Sequence, residues 1–134
     1  MTSTIEYLGD LRTAAIHLAS KKNILSDAPV DNQGKGEAFS PTDLVATALG
    51  SCLLTIMGIK AGDMEVEIKG TTALVSKVMG SAPRRISEIN ITVTMSNSFD
   101  QKTQKILEKA ALSCPVANSL HSDLKQNIRF IWPS

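Results

Sequence analysis

The sequence predicts an α+β fold, with antiparallel sheets wrapped around a central apolar helix, and three observations carry that expectation. Residues Ile89-Asn90-Ile91-Thr92-Val93-Thr94-Met95 alternate apolar and polar, the period of a strand with one wet face. Between Asp43 and Lys60 lie sixteen uncharged residues, a length and texture that fit a helix. Strand-like and helix-like stretches follow each other as strands, helix, strands, helices, strand, without the regular alternation of a parallel α/β sheet. No repeat, low-complexity tract or linker interrupts residues 1–134, so one domain is expected.

The elements can be justified in order. Ile5–Leu8, Leu11–Leu18 and Ile24–Ser26 read as short strands separated by Gly9-Asp10 and by the polar turn Ser20-Lys21-Lys22-Asn23. Asp31-Asn32-Gln33-Gly34-Lys35-Gly36-Glu37 reads as a loop, since the glycines lack the G-x-x-x-x-G-K-[ST] order of a phosphate loop. Ser40 as N-cap, Pro41 at the first helical position and Asp43 at the third open the first helix, which is expected to run to about Ile59. Apolar residues surround it instead of forming one stripe, as in a helix covered on most sides by sheet or by a partner subunit. Gly50 and Gly58 would admit another backbone. The interspersed Thr47, Gly50, Ser51, Thr55 and Gly58 argue against a membrane span. Met64–Lys69 and Thr71–Val78 alternate like strands. The second helix is expected from about Ser98, with Gln101 as capping-box partner, and turns Ile106, Leu107, Ala110 and Ala111 to the core. A short helix over Val116–Leu120 and a strand over Ile128–Trp132 close the pattern.

Composition narrows the function classes. With 43% hydrophobic and 20% charged residues the chain has material for a real core, and a net charge of +1 gives no electrostatic case for nucleic acid or an anionic membrane. Met1–Tyr7 shows neither the basic nor the apolar region of a secretory signal, so a cytoplasmic location is expected. In a reducing compartment two cysteines are more often catalytic, sensing or metal-binding than a permanent staple. Cys52 and Cys114 stand 62 positions apart, which matches no zinc spacing, and His17 and His121 add no pattern; no metal site is expected.

The cysteines differ in setting. Cys52 sits inside the apolar run Leu44–Met57, where a thiol is often just a small hydrophobe. Cys114 precedes Pro115; if a helix opens there, Cys114 is its N-cap, where free amides and the positive helix end favour a thiolate.

The motif Ser40-Pro41-Thr42-Asp43-Leu44, leading to Cys52, and the later Cys114-Pro115-Val116 resemble the OsmC/Ohr family, the osmotically inducible and organic hydroperoxide resistance proteins. The order of elements agrees over nearly the whole chain. The resemblance implies an OsmC-like fold, an intertwined homodimer with thiol sites at the subunit interface, and reduction of organic hydroperoxides by a cysteine pair. By that resemblance Cys52 would attack the peroxide and Cys114 would resolve the sulfenic acid as a disulfide. An external dithiol, such as a dihydrolipoyl group, would reset the pair with no bound cofactor.

Such chemistry needs a thiolate. A thiol of pKa about 8.5 is only about 3% ionised near neutrality, and a shift to about 6 requires on the order of 3 kcal/mol of thiolate stabilisation. Better-known members carry a glutamate directly after the helix-opening proline and an arginine beside the thiol. Here Thr42 holds the first place, with Asp43 and Glu37 as the nearest acids, and Arg12, Arg84 and Arg85 are the candidate cations. Two readings result. One is a hydroperoxide reductase; the other is a non-catalytic dimer that binds a small hydrophobic ligand or senses redox state through the same cysteines.

Overall fold

The computed structural model describes all 134 residues, Met1–Ser134. Its order is β1 (Ser3–Gly9), β2 (Arg12–His17), β3 (Asn23–Asp27), α1 (Pro41–Asp63), β4 (Thr72–Gly80), β5 (Arg85–Thr94), α2 (Gln101–Leu112), α3 (Pro115–Ser119) and β6 (Lys125–Ile131). This is an α+β chain with two three-stranded sheets and a central helix, β1-β2-β3 and β4-β5-β6. It divides into two compact units, residues 1–45 and 46–134.

The first unit is an antiparallel meander. β1 and β2 pair from Ser3↔His17 to Gly9↔Arg12, which leaves Asp10 and Leu11 as the turn, both at positive φ. Leu11 therefore belongs to the hairpin turn and not to β2, because a two-residue turn that follows the strand twist needs left-handed backbone at both positions. The loop after β3 contains a 3-10 turn, Val30–Asn32, inside what reads in sequence as plain loop. Gly34 is fixed sterically: a Cβ there would sit 1.7 Å from the Ala28 carbonyl oxygen. The start of α1 forms as expected, with Ser40 Oγ accepting from the Asp43 N–H (3.0 Å) and Asp43 Oδ2 accepting from the Ser40 N–H (2.9 Å), a reciprocal cap.

The second unit carries the apolar core. α1 buries Ala46, Leu49, Gly50, Leu53, Met57 and Ala61, a single helical stripe, against Ile89, Ile91 and Val93 of β5 and Leu107 and Ala111 of α2. Within this unit, then, α1 is covered on one stripe, while Ile59 stays exposed. The helix runs four residues past the expected Ile59 to Asp63, because Ala61 continues the buried stripe. It is long and apolar enough to cross a membrane by length and composition, and its buried stripe accounts for that apolarity as a core helix. Gly50 meets the sheet, where a Cβ would lie 2.9 Å from Val75 Cγ2; nothing lies within 4 Å of the corresponding point at Gly58.

Three further expectations need correcting. Met64–Lys69 is not a strand: Met64, Val66 and Ile68 alternate because they pack on the core edge, but their backbone joins no ladder. α2 begins at Gln101 with Asp100, not Ser98, as its cap; Asp100 Oδ1 accepts from the Thr103 N–H at 2.9 Å, whereas Ser98 Oγ donates to the Pro133 carbonyl. The sheets are antiparallel except for β5 and β6, which pair in parallel from Glu88↔Lys125 to Thr94↔Ile131. A parallel pair needs a crossover, and α2 and α3 supply it.

Candidate functional site

Arg12 and Glu37 meet in a cluster of the first unit and the two cysteines share the core of the second, while Thr42, Asp43, Arg84 and Arg85 lie apart from both. In the first, Arg12 and Asp27 are direct partners across the β2–β3 ladder, so the register itself brings opposite charges face to face. Arg12 Nε donates to Asp27 Oδ1 at 2.6 Å and Nη2 donates to Asp27 Oδ2 at 2.8 Å, the two-pronged geometry that suits a guanidinium and a carboxylate. Nη2 also reaches Glu37 Oε1 at 3.2 Å, and the Glu37 N–H donates to Asp27 Oδ2 at 3.1 Å. Asp27 is fully buried. Its hydrogen bonds to Arg12 hold the carboxyl below the usual range against the opposing effect of burial, and Asp27 in turn raises the Arg12 guanidinium.

Arg12 and Glu37 are thus brought together, and Asp27, which fixes them, was not anticipated. The available signal was the hairpin itself: pairing β2 with β3 about the Ser20–Lys22 turn sets Arg12 opposite Asp27. Thr42 and Asp43 belong to the start of α1. Asp43 serves the cap, and the Thr42 and Ser40 hydroxyls lie 3.2 Å apart.

The second cluster is the thiol pair. Cys52 is half-buried midway along α1, and Cys114 is fully buried. Cys114 is the N-cap of α3 with Pro115 next to it, as the sequence predicts. Its Sγ accepts from the Ala117 N–H at 3.4 Å. Both thiols are free, and Cys52 packs against the buried core cluster that contains Cys114. Burial pushes the Cys114 thiol up; the Ala117 N–H opposes that, and the neighbouring Cys52 adds to it. The short α3 is held from three sides: Asn118 Nδ2 donates to the Ser113 carbonyl, Ser119 Oγ to that of Pro115, and Gln126 Nε2 of β6 to that of Ala117.

Arg84 and Arg85 lie at the β4–β5 turn. Arg85 Nη1 donates to the carbonyls of Ser81 and Pro83, both at 2.9 Å, so its guanidinium ties its own turn. His17 hydrogen-bonds Ser20 and His121 bonds the Asp123 N–H, each within its own turn.

What this arrangement can do chemically is set by two free thiols of one core, Cys52 half-buried and Cys114 fully buried. The family model for OsmC-like proteins matches residues 34–129. The crystal structure of a protein from Psychrobacter arcticus 273-4, provisionally described as an osmotic stress induced and detoxification response protein, is 60% identical. Its TM-score is 0.95, over 98% of this chain and 96% of that one. An organic hydroperoxide resistance protein OsmC from Legionella pneumophila is 15% identical, with a TM-score of 0.73 over 97% and 96% of the two chains. A provisionally described organic hydroperoxide resistance protein from Vibrio cholerae, with captopril in one of its active sites, is 13% identical, with a TM-score of 0.75 over 97% and 91%. The latter two show likeness of fold alone. Comparison with curated proteins gives no match.

Proposed function

Because the chain belongs to the OsmC-like protein family, we propose that it is a thiol-dependent organic hydroperoxide reductase acting through Cys52 and Cys114. The observation that supports this reading is a half-buried thiol, Cys52, packed against the core cluster that holds the fully buried thiol of Cys114. Burial supports an order of events. Cys114 is held as a thiol and shielded, so Cys52 is the sulfur a peroxide meets.

The Cys52 thiolate attacks the peroxide O–O bond; the S–O bond forms, the O–O bond breaks, and the departing alkoxide takes a proton to leave as an alcohol. Cys52 is then a sulfenic acid. Cys114 attacks that sulfur, forming the disulfide and releasing water. An external dithiol returns two electrons and two protons to the pair. Arg12 and Glu37 are candidates for an activating or orienting role, and within the first unit Asp27 fixes the Arg12 guanidinium.

We read the working form as a homodimer. In the first unit Ile5, Tyr7, Leu8, Ile24 and Leu25 are exposed, more apolar surface than a three-stranded sheet keeps bare when alone. A reducing compartment such as the cytoplasm suits a pair that must be recycled.

The test is stopped-flow consumption of cumene hydroperoxide by the pre-reduced protein, with dithiothreitol as donor. Fast consumption should vanish in Cys52→Ser, and Cys114→Ser should leave a sulfenic acid that dimedone traps. A wild type that reacts no faster than free cysteine would overturn the proposal.

A further inference from the structure

Where the β5–β6 ladder begins, the second unit leaves a depression that the proposed reaction does not use. β6 joins β5 at Glu88↔Lys125, so Arg85, Ile86 and Ser87 of β5 run on with no strand beside them on that side. Toward β4 the register steps from Val78↔Glu88 to Met79↔Ile86, which makes Ser87 the extra residue of a bulge. The turn that leads into β6 closes the other side. Arg85, Ile86, Ser87, His121, Asp123 and Leu124 together line a volume of about 300 Å³, at the small end of ligand sites. Ile86 and Leu124 pack against the core and give it an apolar wall.

The polar groups on this lining are fixed on one side and open on the other. Arg85 Nη1 donates to the carbonyls of Ser81 and Pro83, which holds the guanidinium, and Gly80 makes room for it: a Cβ there would lie 2.8 Å from Nη1 and 3.0 Å from Cζ. Nε and Nη2 are left without a protein partner, and no carboxylate pairs with Arg85. This is the edge with which Arg12 grips Asp27, Nε at 2.6 Å and Nη2 at 2.8 Å, so the molecule itself shows that such an edge takes a carboxylate. His121 Nδ1 accepts from the Asp123 N–H at 3.0 Å, and the neutral ring therefore carries its proton on Nε2, a second donor. Asp123 is the one carboxylate on the lining, and its side chain is exposed. Glu88 and Lys125, next along the two strands, oppose each other across the ladder, and Glu88 Oε2 accepts from Asn90 Nδ2.

We propose that this depression binds a free α-amino acid with an aliphatic side chain. The ligand carboxylate takes the open edge of Arg85 and the Nε2–H of His121, its ammonium group takes Asp123, and its side chain lies on Ile86 and Leu124. Charge selects the class: a simple carboxylate would meet Asp123 without compensation and a simple amine would meet Arg85, whereas a zwitterion satisfies both. The site is independent of the peroxidase reading, since neither cysteine lines it.

The test is titration of the ¹⁵N-labelled full chain with L-leucine, with 4-methylpentanoate, which lacks the amine, and with 3-methylbutylamine, which lacks the carboxylate. Binding is read at the Arg85 Nε–H and the Asp123 amide. Leucine should shift both, and each trimmed compound should bind at least about tenfold more weakly. Arg85→Lys keeps the charge and loses the two-pronged edge, and should weaken leucine about tenfold, read at the Asp123 amide. Because Arg85 also ties its own turn, Asp123→Asn supplies a second readout at an exposed position: leucine should then bind no better than 4-methylpentanoate. No shift with leucine at about 20 mM, far above a millimolar constant, would overturn the proposal. So would unchanged leucine affinity in Asp123→Asn, or equal binding of leucine and 4-methylpentanoate by the wild type, which would make this a site for simple carboxylates.

Discussion

The two units bury opposite kinds of residue. In residues 1–45 the buried side chains are Ser26, Asp27 and Ser40, all polar, whereas in residues 46–134 they are Leu, Ile, Val, Met, Ala and one Cys. The first unit is organised by a charged hydrogen-bond cluster and leaves its apolar residues outside; the second is organised by an apolar core and leaves its lysines outside. The difference teaches which forces hold each candidate site. The guanidinium of Arg12 is fixed by partners that must stay ionised, and the sulfur of Cys114 by surroundings that favour its neutral form.

The largest effect that would break this contrast is Leu53→Ala. Leu53 is fully buried in the second unit, and its truncation should cost about 2–5 kcal/mol in urea unfolding. Leu25→Ala, at a residue 44% exposed in the single chain, should cost much less if the first unit stands alone and comparably if the proposed dimer covers it. Comparable losses would show that Leu25 is covered in solution, as the proposed dimer requires. A middle-sized effect comes from two glycines of one helix. Both Gly→Ala changes gain helix propensity of about 1 kcal/mol, but at Gly50 the new methyl meets Val75 Cγ2, and at Gly58 it meets nothing. Gly50→Ala should therefore be less stable than Gly58→Ala by about 1–3 kcal/mol, read from denaturation midpoints.

The smallest effects are in pH dependence, and the two clusters should differ in sign. Asp27 has a folded value below its unfolded one, so its contribution is present above about pH 4 and is lost as the pH falls through the folded value. Cys114 has a folded value above its unfolded one; its contribution is complete below about pH 8.5 and is lost as the pH rises through the folded value. Denaturation midpoints should show Asp27→Asn flattening only the acid limb and Cys114→Ala only the alkaline limb. An effect of either variant on the opposite limb would contradict the assignment.

Much of this was legible in the sequence. The start of α1 was, because Ser40, Pro41 and Asp43 each satisfy a local demand of a helix terminus, and local demands survive whatever tertiary context follows. The cap role of Cys114 was legible for the same reason, through Pro115. Strand periodicity served for Ile89–Met95 but misled at Met64–Lys69, where alternation records burial on the core edge and says nothing of a hydrogen-bonding partner. Ser98 and Asp100 are both competent caps, and the choice depended on where Phe99 packs against the core and Trp132. Asp27 stayed hidden because its significance lies in cross-strand register, which hydropathy does not encode. The proposed pairing of Cys52 with Cys114 comes from family resemblance alone, since two residues 62 positions apart leave no local trace of a partnership.

The parallel pairing of β5 with β6 bears on the order in which the molecule assembles. Cys114 lies on the crossover between those strands, and the strand that completes the sheet also supplies Gln126, the tether of α3. Pairing at such sequence separation must first close a long loop, so it comes after the β4–β5 hairpin and the turns of α1. The turn that carries Cys114 is therefore expected among the last features to settle, so the proposed thiol pair would form only after β6 has joined the sheet.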